Sequence, residues 1–277
     1  MFRNYTSSSQ RGYSREPLTL DAIKAIAPSV FAQDKHDSRS ERYTYIPTSD
    51  IVNGLMREGF MPYYAFQGRS NVPGKEDYTK HLLKFRREST MQENTFEIVL
   101  INSHDGTSSY KMIAGCYRLV CSNGLMHFNT QYDVKVPHRG NIIHDVIEGA
   151  YSILSQQREV EGSIDKLQSI TLQPEEQRVF AQAALALRYE PNENGLIEAP
   201  IRADQLNRIR RNADNKSDLW TTFNRVQENV IQGGLQGRAS TGRRISTKAI
   251  TNIDNNVNLN RALWMLADSM ANIKLAA

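Results

Sequence analysis

Along the first half of the chain the apolar positions fall in short, interrupted groups, and along the second half they recur at helical spacing. PTSDIVNGLMREGF, residues 47–60, predicts a helix with Thr48 or Ser49 as N-cap, Ile51, Val52, Leu55 and Met56 on one face, and Gly59 closing it. A shorter helix is predicted from Leu20 to Ala27, followed by the charged loop 34–42. MPYYAFQGR, TKHLLKFRRE and TFEIVLIN are short and aromatic or β-branched, with Gly, Pro, Asn and charge between them, and they predict a three-stranded antiparallel meander. YKMIAGCYRLVCSNG is a dense apolar run that fits helix or strand. The serines before it and Asn123-Gly124 after it favour a helix over 109–122.

From Asn141 onward helices dominate. Ile143, Val146, Ile147, Ala150 and Leu154 make one helical stripe. Pro174-Glu-Glu opens a second helix, with Val179, Phe180, Ala183, Ala184 and Leu187 expected inside. Further helices are predicted at 202–211, 218–232 and 256–273. The fold class is α+β: a small antiparallel β-meander with a packed helix in the N-terminal half, and a helical C-terminal half. The expected organisation is a polar N-terminal arm (1–40), an α+β core with a candidate nucleic-acid groove (41–160), and a helical region (161–277) carrying a basic Gly-rich loop at 233–250.

With 277 residues, size imposes no need for disulfides. Cys116 and Cys121 share one apolar stretch and read as small core residues. The polar N-terminus has no secretory character, and no run approaches the ~18 apolar residues of a membrane helix, so a cytoplasmic protein without membrane contact is expected.

Enzyme signals are weak. GRASTGRR, residues 237–244, has the glycine frame of a phosphate loop, but Arg243 and Arg244 stand where that loop needs Lys and a hydroxyl. The six histidines are scattered, with no metal-ligand spacing, so neither a metal nor another cofactor is expected. Asp105, Glu97 and Asp77 would be the carboxylates of interest were the protein a nucleic-acid-processing enzyme.

Charge distribution says more than the net +4. No Asp or Glu occurs between Glu228 and Asp254, a window that holds Arg238, Arg243, Arg244 and Lys248. Its glycines are costly to order, which predicts a loop that is mobile until an anion supplies the missing counter-charge. Lys80, Lys84 and Arg86 alternate along one strand, with Tyr63, Tyr64 and Phe66 nearby for base stacking. Lys111, Gly115, Arg118 and Ser122 would form one stripe on the predicted helix 109–122. Lys135, His138 and Arg139 precede a helix N-terminus, and RIRRN adds Arg208, Arg210 and Arg211. Together these point to a polyanion.

APSVFAQDKHDSRSERYTYIPT, LINSHDGTSSYKMIAGCYRLVCSNGL, VPHRGNIIHDVIEGAY and DLWTTFNRVQENVIQGGL resemble the family catalogued as domain of unknown function 932, also called phage/plasmid-like proteins, over most of the chain. The resemblance implies a mobile-element setting and brings no catalytic residues. A meander followed by a helix is also similar to the architecture of phage single-strand annealing proteins of the RecT and Erf type, which implies an oligomeric ring with a basic groove. The expected function is therefore a non-catalytic DNA-binding protein of a mobile genetic element, binding or annealing single strands in recombination as a homo-oligomer. The alternative is a counter-defence or regulatory protein whose partner is a host defence or recombination protein.

Overall fold

The computed structural model describes residues 11–34, 46–69, 74–87, 93–105, 108–119, 123–126, 133–137 and 140–276. The chain divides into two compact units, residues 1–157 and 158–277.

Unit 1 is built on a seven-stranded antiparallel sheet. Its strands are β1 (Arg11–Tyr13), β2 (Met61–Gln67), β3 (His81–Arg86), β4 (Asn94–Asn102), β5 (Tyr110–Arg118), β6 (Asn123–Met126) and β7 (Val134–Val136), in the order β1-β2-β3-β4-β5-β6, with β7 also pairing with β5. The predicted meander is β2, β3 and β4. Pro62 cannot donate to a ladder, and it sits where the β2–β3 register shifts, between Pro62 and Tyr64.

The predicted helix over 109–122 is instead β5, an interior strand of the sheet. It pairs with β4 along most of its length and with both β6 and β7 on its other edge. Both faces of β5 are covered, so Met112, Ile113, Ala114, Cys116 and Tyr117 are all buried and the strand shows no alternation of apolar and polar residues. Gly115 at its middle is a helix-weakening residue that the capping signals outweighed.

The helices of unit 1 are α1 (Leu20–Ile26), α2 (Thr48–Arg57) and α3 (Ile142–Leu154). In α3 the buried stripe is Ile142, Val146, Gly149, Ala150 and Ile153, a slight rotation from the predicted one. Gly149 lets α3 lie against the sheet: a Cβ there would run into the end of the Met112 side chain and come within 2.9 Å of Val134 Cγ1. Gly149→Ala gains roughly 1 kcal/mol of helix propensity but overpacks this contact at a cost of about 1–3 kcal/mol. A net loss of stability in urea unfolding is expected, and a gain would show that Met112 and Val134 give way freely.

Unit 2 contains α4 (Gln157–Ser169, starting at the boundary), α5 (Pro174–Arg188), α6 (Leu219–Gln232) and α7 (Ile253–Ala276), with the hairpin β8 (Gln236–Arg238) and β9 (Arg244–Ser246). Where a helix was predicted at 202–211, only the short 3-10 helix Ala203–Asn207 forms. Asp218 caps α6, accepting hydrogen bonds from the Thr221 N–H at 2.7 Å and its hydroxyl at 2.8 Å. Every residue of α6 from Leu219 to Ile231 is buried. Its Trp220 and Phe223 pack against Trp264 of α7, and Phe223 also against Phe180 of α5, largely edge to face, with Phe223 and Trp264 centroids 5.5 Å apart. Val179 and Leu187, expected inside, are 61% and 42% exposed on the outer side of α5.

Candidate nucleic-acid interface

The acid-free segment forms a short antiparallel hairpin. Gln236, Gly237 and Arg238 pair with Ser246, Ile245 and Arg244, so Arg238 and Arg244 stand directly opposite each other on one face. The turn is closed by hydrogen bonds from Ala239 N to the Arg243 carbonyl (2.9 Å) and from Gly242 N to the Ala239 carbonyl (2.8 Å). Gly242 has φ +80°, a conformation in which a side chain would be strained.

A mobile loop was predicted here, and the structure gives a hairpin tied to the rest of unit 2. The Arg238 N–H donates to the Pro200 carbonyl at 2.8 Å, and Gln205 Nε2 donates to the Gln236 carbonyl at 2.9 Å. Gly237 makes the approach to residue 200 close enough, since a Cβ would collide with the Pro200 carbonyl. At the base, Gly234 N donates to the Thr247 carbonyl and Thr247 N to the Leu235 carbonyl. Glycine here serves close backbone approach as well as the turn, which composition alone could not distinguish from looseness.

Arg238, Arg243, Arg244 and Lys248 are all exposed. Arg238 Nη1 donates weakly to the Gly242 carbonyl (3.3 Å), while Arg243 and Arg244 make no side-chain hydrogen bond or ion pair among the described residues. Two like charges facing each other across a ladder are unfavourable unless an anion joins them.

The basic groove expected in unit 1 does not form. Lys84 and Arg86 are 3% and 2% exposed, enclosed on the sheet face opposite His81, Leu83 and Phe85. Arg86 donates through Nε (2.9 Å) and Nη2 (2.7 Å) to Glu97 Oε1, and Lys84 Nζ lies 3.6 Å from Glu97 Oε2. The Arg86 guanidinium is sandwiched between the rings of Tyr63 (4.5 Å) and Tyr117 (4.1 Å). Burial pulls the Lys84 ammonium below its ordinary range even though Glu97 acts to raise it. Tyr63 is buried as the lid on Arg86, and half-buried Tyr64 lies under Lys84 at 5.5 Å, so neither is a free stacking platform. Phe66 is 6% exposed, also in the core.

Arg118 is 2% exposed and pairs with Glu93 at 4.0 Å, so the stripe it was to share with Lys111 does not exist. Lys80 is half-buried just before β3. One pair of predicted cations is brought together: Lys111 and Lys135 are register partners on β5 and β7, the first half-buried and the second exposed. Arg139, His138 and Cys121 lie outside the described residues. In RIRRN, Arg208 is exposed, but Arg210 donates to Asn229 Oδ1 (2.7 Å) and to the Gly233 carbonyl (2.8 Å), and Arg211 pairs with Glu228 (2.6 Å).

A buried polar network escaped sequence reasoning. Gln67, His81 and Asn102 lie side by side across β2 to β4, and the Tyr110 hydroxyl of β5 lies 3.5 Å from Thr48 Oγ1. Thr48 is not a helix cap. Its Oγ1 accepts from Asn102 Nδ2 (3.1 Å) and lies 2.9 Å from His81 Nε2 and 3.1 Å from His104 Nε2. A hydroxyl has one proton and two lone pairs, so with Asn102 donating, at most one of the two rings can also donate to Thr48. His81 Nδ1 faces the Ser29 hydroxyl at 2.9 Å. Ser29, Thr48, His81, Asn102 and His104 have no solvent exposure, and burial pulls the His81 pKa down to about 4. Spacings of 52 and 56 residues between partners left no local signal to find.

Of the three carboxylates of interest, Asp105 is half-buried on a segment that meets the Asp77 segment through the hydrogen bond from His104 N to the Tyr78 carbonyl (3.1 Å), and Glu97 lies apart. Glu97 is committed to Arg86, and Asp77 is exposed in the 3-10 helix Glu76–Tyr78. Among the described residues there is no group of three His, Cys, Asp or Glu that could hold a metal ion, and no helix long and apolar enough to cross a membrane.

The WTTFNRVQEN stretch lies in α6, and three of its polar side chains tie down different neighbours. Arg225 donates to the Asp214 carbonyl (3.0 Å) and Gln177 Oε1 (2.9 Å), Gln227 to Asn260 Oδ1 (2.8 Å), and Asn229 to the Leu206 and Arg208 carbonyls (2.8 and 3.0 Å). The distinctive motif is therefore structural.

Residues 35–264 match the family described as Domain of unknown function (DUF932). Two proteins of Escherichia coli (strain K12), UPF0380 protein YafZ and UPF0380 protein YfjQ, are 47% and 46% identical to the chain over 255 residues, covering 92% of this chain and 92% of each of theirs. No solved structure matches the chain.

Proposed function

Starting from a chain that belongs to the DUF932 family, we propose a non-catalytic DNA-binding protein of a mobile genetic element, which grips the phosphate backbone through its arginine hairpin, with single strands the expected form. The observation that carries this reading is the exposed hairpin bearing Arg238, Arg243 and Arg244, two of them without any partner among the described residues and all within a window free of acids. Guanidinium groups form paired, charge-assisted hydrogen bonds with phosphate oxygens, and a hairpin already formed before binding saves the entropy of ordering it. Lys111 and Lys135 add a second small cationic spot, on unit 1.

Three phosphate contacts on a single strand imply a slope of log affinity against log salt of about −2, or roughly a fifteen-fold loss for a four-fold rise in salt. Gel-shift titration with single- and double-stranded oligonucleotides at two salt concentrations measures this. Arg243→Ala/Arg244→Ala should weaken binding about tenfold or more and flatten the slope to roughly −0.7, with the melting temperature unchanged. No binding at low salt, or binding indifferent to salt, removes the reading.

A further inference from the structure

Unit 2 has a cleft of about 400 Å³ between the C-terminal end of α5 and the N-terminal end of α7. That volume lies within the range of small-ligand sites, ~300–1,000 Å³. Its polar wall is Arg188, Glu190, Asn255 and Asn258, and Leu187 and Leu259 supply an apolar surface. Arg188 is held in place by a hydrogen bond from Nη2 to the Lys248 carbonyl at 3.0 Å and lies over the Tyr189 ring. It makes no ion pair among the described residues, although Glu190 is two positions away. The side chains of Glu190, Asn255 and Asn258 likewise make no hydrogen bond among the described residues. Three uncommitted polar side chains and an arginine anchored through one nitrogen thus line one concavity, with Leu187 and Leu259 beside them. The cleft also adjoins the hairpin, because Lys248 lies four residues beyond Arg244, at most ~14 Å of extended chain.

We propose that this cleft binds one unpaired nucleotide, base inward. A base offers two apolar faces to Leu187 and Leu259 and a rim of donors and acceptors to the carboxamides, which pair bidentately with base edges. Glu190 can only accept when ionised, which suits the amino group of cytosine, and Arg188 takes the phosphate. In a duplex the faces of the base are stacked and its Watson–Crick edge is paired, so a base can enter the cleft only from a single strand or a free nucleotide. As a subsite of a bound strand it rests on the DNA-binding reading; as a nucleotide site it stands alone.

The test is a 15N-detected NMR titration of the full chain with deoxycytidine monophosphate, with deoxyribose 5-phosphate as the baseless control. Saturable shifts of the Leu187, Glu190 and Leu259 backbone amides, which line the cleft, are expected with the nucleotide only. Asn255→Ala/Asn258→Ala alters exposed, unbonded side chains; it should keep the fold and abolish these shifts, whereas Arg243→Ala/Arg244→Ala should leave them intact. In a second arm, oligodeoxycytidine should bind about tenfold tighter than an abasic strand of equal length, a preference lost in the asparagine variant. Nucleotide binding without oligonucleotide binding would overturn the hairpin reading and sustain this site. Absence of saturable shifts, or shifts unaltered in the asparagine variant, would overturn the site.

Discussion

Glu97→Gln should be the most damaging single-atom change in unit 1. Lys84, Arg86 and Glu97 are all enclosed, and the substitution removes the charge of the carboxylate that faces both cations. Lys84 can lose its proton, since burial already pulls its pKa down, but a guanidinium cannot. Removing one partner of a buried pair costs roughly 3–5 kcal/mol, far above the ~0–1 kcal/mol of an exposed pair. At about 2–4 °C per kcal/mol for a unit of this size, the melting temperature should fall by at least ~6 °C. Arg86→Met/Glu97→Leu, which removes the guanidinium and the carboxylate together and leaves Lys84 able to shed its proton, should recover much of that loss. A melting temperature within about 2 °C of the parent for Glu97→Gln would show that water reaches the pair.

The second large effect is acid sensitivity centred on His81. Its folded pKa, about 4, lies below the ordinary 6.5. Between those values the unfolded chain binds a proton that the folded chain excludes, so stability is fully present above pH 6.5 and declines as pH falls toward 4. The slope is at most ~1.4 kcal/mol per pH unit and the total about 3 kcal/mol. His81→Gln should be less stable than the parent at pH 7 but lose less on acidification, so the two stability curves converge between pH 6.5 and 4.5. Parallel curves would mean that the ring is already charged in the folded protein or that solvent reaches it.

The α+β class, the strands β2 to β4 and the helices α2, α3, α5, α6 and α7 were legible because each declares itself within a short window of sequence, whereas α4 was missed. The groove was not. Alternation placed Lys84 and Arg86 on one strand face correctly, but whether that face meets water depends on Glu97 on the neighbouring strand and on two tyrosines from other strands. A cation looks the same in sequence whether it is solvated or caged. The same limit explains Thr48, read as a cap from its local position while its hydroxyl serves residues more than 30 positions away. The hairpin arginines were legible for the opposite reason: a window without acids leaves little chance of local neutralisation, and among the described residues Arg243 and Arg244 meet no distant carboxylate.

α6 has consequences for how unit 2 comes apart. A helix buried on every side, tied by Arg225 to Gln177 of α5, by Gln227 to Asn260 of α7 and by Asn229 to the segment at 206–208, cannot shed one neighbour and keep the others. Its amide protons should exchange with solvent only when the whole unit opens, so their protection reports its full stability, while the ends of α7 fray far sooner. Proteases would find no intermediate to trim. A chain cut short of α7 loses Trp264 from the aromatic cluster and the partner of Gln227 together, and retains no folded scaffold on which the hairpin could be displayed.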